Sequence, residues 1–168
     1  MSALVVILMG SPADGAHADA IATAAAGYGL DVETRIGSAH RTPEHVLAIL
    51  QHYEADPRPK VYVTVAGRSN ALSGFTDPQV SAPVIACPPP SDAFGGADVW
   101  SSLRMPAGVG PAVVLEPANA ALLAAKILGL VDGDVRASVE RHQRAAADRV
   151  LAADSEVRTD RQGSLARG

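Results

Sequence analysis

The chain is short of the groups that most often announce a function. Its 168 residues include one cysteine, Cys87, so no disulfide can close within it. Aromatic residues make up only 4%, too few to suggest a stacked flavin. The net charge is −4, and no Lys/Arg cluster stands outside the C-terminal stretch, which argues against nucleic acid as a partner. No apolar run approaches the roughly 18 residues of a membrane span. Met1-Ser2-Ala3-Leu4 lacks a charged region followed by a cleavage site. A cytoplasmic location is therefore the default expectation. Two nucleotide signatures are missing, the Walker-type Gly-x-x-x-x-Gly-Lys-Ser/Thr and a Gly-x-Gly-x-x-Gly after a strand. No Cys/His set has zinc spacing, and His45 lies five residues after His40, outside the i,i+4 arrangement of paired helical ligands. His17, His45, His52 and His142 fall in helical patterns and read mostly as solvated faces. Cys87 ends the apolar run Val84-Ile85-Ala86 and reads as a small buried residue, not a nucleophile.

What is present is a globular composition, 48% apolar and 19% charged, enough for one domain with a good-sized core. Leu4–Met9 is continuously apolar, as a strand buried on both faces must be. Further strands are predicted over 32–36, 60–66, 83–87 and 112–115. Helices are predicted over 16–28, 43–55, 98–104 and 117–128, and the 67–74 stretch reads as a loop that could open a short helix. Such alternation implies right-handed crossovers. The expected fold is a three-layer α/β/α arrangement, a flavodoxin-like doubly wound five-stranded parallel sheet. Residues 1–130 would form this domain. Residues 134–153 form a charged helix with Val135, Val139, Ala146 and Val150 along one stripe, so that 131–153 would pack on the domain or on a neighbouring subunit. Residues 154–168 read as a polar, mobile tail.

Chemistry concentrates where strands end. Ser38-Ala39-His40-Arg41-Thr42-Pro43 lies between a strand and a helix, the place where open α/β sheets bind ligands. Ser38, Arg41 and Thr42 can donate to a phosphate at the helix N-terminus, and His40 can change charge near neutral pH. Thr42, Pro43 and Glu44 also suit an ordinary helix start, which leaves His40-Arg41 unexplained. A second loop is Gly10-Ser11-Pro12-Ala13-Asp14: Gly10 admits a ligand to the backbone, Ser11 could bind phosphate, and Asp14 could hold ribose hydroxyls or simply cap a helix. In the third, Ala66-Gly67-Arg68-Ser69-Asn70-Ala71-Leu72, small residues leave room for a planar ligand while Ser69 and Asn70 offer hydrogen bonds; Asn70 could equally cap a helix. Phosphate recognition without a nucleotide motif suggests a sugar phosphate or mononucleotide, with one histidine for the chemistry. A non-catalytic flavodoxin-like receiver or nucleotide-binding module is the rival. A receiver would need acidic residues where Met9-Gly10 and Ala66-Gly67 stand.

Taken together, Met9-Gly10-Ser11 with Asp14, the Ser38–Pro43 segment, Met105-Pro106-Ala107-Gly108 and Asn119–Ala124 resemble the PurE family of purine biosynthesis, in order, from Val5 to about Leu130. One branch of that family carries a Gly-Gly-Ala-Ala-His-Leu-Pro-Gly type segment after the third strand. This chain has Ala66–Gly74 there, without histidine, and so is similar to the branch containing the carboxylase half of the bifunctional animal enzyme. Cys87-Pro88-Pro89 and Asp98–Arg104 resemble the same branch. The resemblance implies carboxylation of 5-aminoimidazole ribonucleotide (AIR) by CO2 to 4-carboxy-5-aminoimidazole ribonucleotide (CAIR), without ATP, biotin or metal. The alternative on the same scaffold is the mutase acting on N5-carboxyaminoimidazole ribonucleotide. The resemblance also implies His40 as general acid and base. Gly10, Ser11, Asp14, Ser38, Ala39, Arg41, Ala66, Gly67, Arg68, Ser69, Asn70, Leu72, Met105 and Pro106 would bind substrate. It further implies a symmetric homo-oligomer, an octamer or tetramer, with the Met105–Gly108 loop and the last helix as candidate contacts.

Overall fold

The computed structural model describes residues 2–165. Strands β1 (Leu4–Met9), β2 (Asp31–Ile36), β3 (Lys60–Val65), β4 (Val84–Ala86) and β5 (Ala112–Val113) form one parallel sheet in the order β2-β1-β3-β4-β5. The continuous apolar run of β1 is explained by its central position. Val5 and Ile7 face one buried cluster, and Leu4, Val6 and Leu8 face the other. Each such side chain contributes roughly 1.5–3 kcal/mol by leaving water. Helices α1 (Gly15–Ala26), α4 (Pro117–Leu128) and the start of α5 (Gly133–Leu165) cover the first face. Helices α2 (Pro43–Glu54) and α3 (Ala71–Thr76) cover the second. The alanines of α1 and α4 let these two helices lie side by side. The three-layer, doubly wound prediction holds.

Register places the functional loops. Met9 is level with Ile36 on one side and Val65 on the other. Gly10, Gly37 and Ala66 therefore leave the sheet at one height. Thr64 pairs with Ala86, which brings the segment after β4 to the same edge. Gly37 is buried, and its amide donates to the Met9 carbonyl at 2.9 Å. A Cβ there would lie 2.8 Å from Val46 Cγ2, so only glycine lets α2 pack against the end of β2.

Two predicted elements differ. The helix predicted to end at Ala153 runs on to Leu165, so the 154–165 part of the expected tail is helical; 166–168 lie outside the described residues. Nothing from Asp154 to Arg158 breaks a helix, and Asp154 and Arg158 stand at the favourable i,i+4 spacing. Of the predicted stripe, Val135 and Val139 are buried, whereas Ala146 and Val150 are exposed. The segment read as a helix over 98–104 is a 3-10 stretch, Ala93–Ser102, interrupted by Phe94, Gly95 and Gly96 at φ of 50°, 64° and 78°. Among the described residues no helix is long and apolar enough to cross a membrane.

Candidate active site

At the carboxyl edge of the sheet the loops after β1, β2, β3 and β4 enclose an open cavity of about 690 Å³. The first loop supplies Gly10, Ser11, Ala13 and Asp14 to its lining. Ser11 is extended and opens a 3-10 turn over Pro12–Asp14. The Asp14 carboxylate accepts from the Ser11 amide at 2.9 Å and from its hydroxyl at 3.1 Å, both on Oδ2. Asp14 stands at the N-cap of α1, yet its side chain makes no cap bond to that helix. The carboxylate is fixed by the turn instead.

The second loop supplies Ser38, Ala39, His40 and Arg41. It is closed by reciprocal bonds between Ser38 and Thr42. The Ser38 amide donates to Thr42 Oγ1 at 3.0 Å, and the Thr42 amide donates to the Ser38 carbonyl at 2.8 Å. Thr42 sits at the N-cap of α2, but its hydroxyl turns back to Ser38 and makes no cap bond to the helix. Arg41 is laid across the loop. Its amide and Nε reach Ser38 Oγ at 3.3 and 3.5 Å, and Nη2 donates to the Gly10 carbonyl at 3.4 Å. That last contact ties the second loop to the first. His40 is exposed on the cavity wall.

The third loop supplies Ala66, Gly67, Arg68, Ser69 and Leu72. Arg68 has φ of +58°, a backbone conformation disfavoured for any residue with a Cβ. Pro89 lies over Gly67, 3.4 Å from where a Cβ would stand. Neither Arg41 nor Arg68 has a carboxylate partner; the ion pairs among the described residues join Arg58 and Arg144 to other groups. With Asp14 as the lining carboxylate, the two guanidinium groups, unpaired among the described residues, give the cavity an excess of positive charge suited to an anion.

Eleven of the fourteen expected substrate-binding residues, with His40, line this cavity. Three do not. Asn70 is buried and spends its side chain on local structure: Oδ1 accepts from the Ser73 amide at the start of α3, and Nδ2 donates to Ser102 Oγ at 2.8 Å. A loop asparagine before a helix is as readily a cap as a ligand, and here the cap wins. Met105 packs against Gly74 of α3, with its sulfur 3.1 Å from where a Cβ would be. Pro106 is exposed and does not line the cavity. Conversely, Pro89, Pro90 and Ser91 line the cavity although none of them was among the expected site residues. The signal available was position, since they follow a predicted strand at the ligand-binding edge.

A smaller cavity of about 400 Å³ shares the wall formed by Ala66–Arg68 and Pro89–Ser91, and reaches His17, Asp98, Leu115 and Glu116. His17 is half-buried, with Nε2 3.3 Å from the sulfur of Cys87. Burial makes His17 less basic than an ordinary histidine, against the opposing charges of Asp14 and Glu116. Burial, aided by Glu116, pushes the Cys87 thiol up to about 12. Cys87 is thus a neutral buried group, as expected, and no nucleophile. His45, His52 and His142 are exposed, as expected, leaving His17 as the exception. Among the described residues no group of three or more His, Cys, Asp or Glu could hold a metal ion.

Comparison with known proteins follows the same geometry. The family pattern described as AIR carboxylase matches residues 4–149. A Treponema denticola phosphoribosylaminoimidazole carboxylase is 54% identical over 94% of this chain and 99% of its own length. An Archaeoglobus fulgidus protein of the same name is 53% identical over 91% of this chain and 84% of its own. The mouse bifunctional phosphoribosylaminoimidazole carboxylase/phosphoribosylaminoimidazole succinocarboxamide synthetase is 45% identical over 75% of this chain, which spans 30% of that longer protein. A crystal structure of Treponema denticola PurE superposes with a TM-score of 0.90 at 55% identity, covering 91% of this chain and 97% of that one. The chain belongs to the AIR carboxylase family, also called PurE.

Proposed function

We propose that this chain is a phosphoribosylaminoimidazole carboxylase of purine biosynthesis that joins CO2 to C4 of AIR, giving CAIR, without ATP and with His40 as the proton-transfer group. The observation that carries the reading is the meeting of His40, Arg41, Ser38, Ser11 and Asp14 on one positively charged cavity. The naming of two relatives as phosphoribosylaminoimidazole carboxylases supports it, as does the lack of a histidine in Ala66–Gly74.

The enamine-like C4 of the aminoimidazole attacks the carbon of CO2. A carbon–carbon bond forms, and the CO2 π electrons move onto oxygen. C4 is then tetrahedral and carries both a hydrogen and the new carboxylate. Neutral His40 takes that proton, and the C–H electrons restore the aromatic ring. Because His40 is exposed, its imidazolium can return the proton to water. In reverse, the imidazolium protonates C4 and CO2 leaves. Ser38, Ser69 and loop amides stabilise the carboxylate as it develops. Arg41 and Ser11 hold the phosphate, Ser11 turning its hydroxyl from Asp14 to the ligand, while Asp14 receives ribose hydroxyls. Among the described residues no atom demands glycine at position 10, where an added Cβ would come no closer than 3.5 Å to Ala66. Its value lies in leaving the backbone open to the ligand. Anchoring a remote phosphate orients the ring over CO2, which itself offers few handles.

The same reading takes the site as the work of 1–130, and keeps the expectation of a cytoplasmic enzyme. It assigns the exposed outer part of α5 and the Met105–Gly108 loop to contacts within a homo-oligomer, an octamer or tetramer. A monomeric mass by light scattering would remove that last element. The reaction is tested by supplying AIR with bicarbonate-derived CO2, or the N5-carboxylated ribonucleotide, with no ATP present, and following product absorbance. Turnover of AIR with CO2 is expected; turnover of the N5-carboxylated compound alone would assign the mutase reaction.

A further inference from the structure

The cavity's third loop is held in shape from outside. Arg68 keeps a left-handed φ that its own side chain disfavours, so something must over-determine it. The side chain in contact with this turn is Ser101, which lines neither cavity. Its Oγ donates to the Arg68 carbonyl at 3.1 Å, with the Asp98 carbonyl at 2.8 Å as the other acceptor in reach. The same oxygen accepts from the Asn70 amide at 2.9 Å. The Arg68 carbonyl and the Asn70 amide belong to the two peptide units on either side of Ser69. One hydroxyl thus grips both, while Ser102 Oγ, nearly sealed from solvent, takes Asn70 Nδ2 at 2.8 Å. The 3-10 segment is thereby bolted to the loop that presents Ser69 to the cavity.

We infer that Ser101 is a positioning residue for carboxylation, fixing Ser69 and the adjoining peptides at the carboxylate end of the site. This rests on the carboxylase reading. Phosphate and ribose are held by the other two loops, so loss of the Ser101 hydroxyl falls on turnover and spares ribotide binding.

The test uses the full-length protein and measures kcat, KM for AIR and thermal stability. Wild type is first assayed on AIR with CO2 and on the N5-carboxylated substrate, and a wild type inactive on both overturns the reaction reading and this inference with it. With an active wild type, every variant is assayed on the substrate that wild type turns over. Ser101→Ala is expected to lower kcat by about 10- to 100-fold, the scale of a small misplacement of a reacting group. KM should stay within about threefold, because ground-state binding is not what is lost. Ser101→Thr, which keeps the hydroxyl, should recover most of the kcat. In a cycle with Ser69→Ala, the double variant should lose little more than the worse single one, since Ser101 acts through Ser69. Should Ser101→Ala fail to fold, Ser101→Cys, which keeps volume and weakens both bonds, carries the same comparison. A kcat near wild type, an equal effect on kcat and KM, no recovery by threonine, or losses that multiply in the cycle would each overturn the inference while leaving the carboxylase activity of the wild type standing.

Discussion

The two ends of the sheet spend their charges in opposite ways. At the amino end, Arg58 is paired three times, to Asp56 at 2.7 Å, Glu33 at 3.2 Å and Asp31 at 3.3 Å. Glu33 also accepts from the Tyr53 hydroxyl at 2.7 Å. These groups drive one another's charge states: the Arg58 guanidinium holds Asp56 down at about 2, and the Tyr53 hydrogen bond lowers Glu33 below its ordinary value. At the carboxyl end, Arg41 and Arg68 have no carboxylate partner among the described residues, and His40 stands exposed on a cavity wall. Charge that is already paired builds structure. Charge left unpaired beside an open cavity is reserved for a ligand. On this view, substitutions at one end should move stability and those at the other should move kinetics.

The largest effect expected is at His40. His40→Asn should lower turnover on the order of 100- to 10,000-fold while leaving AIR binding intact, because only proton transfer is removed. Steady-state absorbance assays and equilibrium binding check this pair of results. Arg41→Ala comes next. Loss of a charged hydrogen bond to phosphate, about 1.5–3 kcal/mol, should raise KM by roughly 10- to 150-fold with a smaller change in kcat. A fall in melting temperature as the main consequence of either change would erase the contrast between the two ends.

Gly37→Ala probes where the two roles meet. Its new Cβ would clash with the stiff Val46 side chain, 2.8 Å away, and push α2 with the His40 loop. A cost of about 1–3 kcal/mol in stability is expected, together with reduced kcat, and chemical denaturation and kinetics measure the two separately. The smallest effect on catalysis should come from Arg58→Ala, with kcat and KM unchanged and the melting temperature lowered. The sign with pH follows from the depressed carboxylates. Asp56 contributes stability fully present above its ordinary value of 3.8 and lost as pH falls toward about 2. Thermal melts across that window should fall in wild type and be flatter in Arg58→Ala.

Much of the frame was legible because burial writes itself into sequence. Leu4–Met9 must be apolar throughout to sit between two layers, and Pro117–Leu128 was bounded correctly by a proline at its start and a glycine after its end. Three of the cavity's four loops were legible because each follows a strand and carries groups that a plain turn does not need. What escaped depends on tertiary contacts. Asn70 looks the same in sequence whether it caps a helix or binds a ligand; only Ser73 and Ser102 decide. The left-handed run Phe94-Gly95-Gly96 hides the 3-10 segment from any helical periodicity. Beyond Val139 the long helix carries little core stripe, so its extent could not be read from burial.

The central claim is that one imidazole carries the hydrogen of C4. Supplying CAIR in D2O and following the ribotide by NMR tests it most directly. Wild type should release AIR bearing deuterium at C4, and His40→Asn, still binding CAIR, should form none above the uncatalysed rate. Deuterated AIR made by His40→Asn at the wild-type rate would contradict the account.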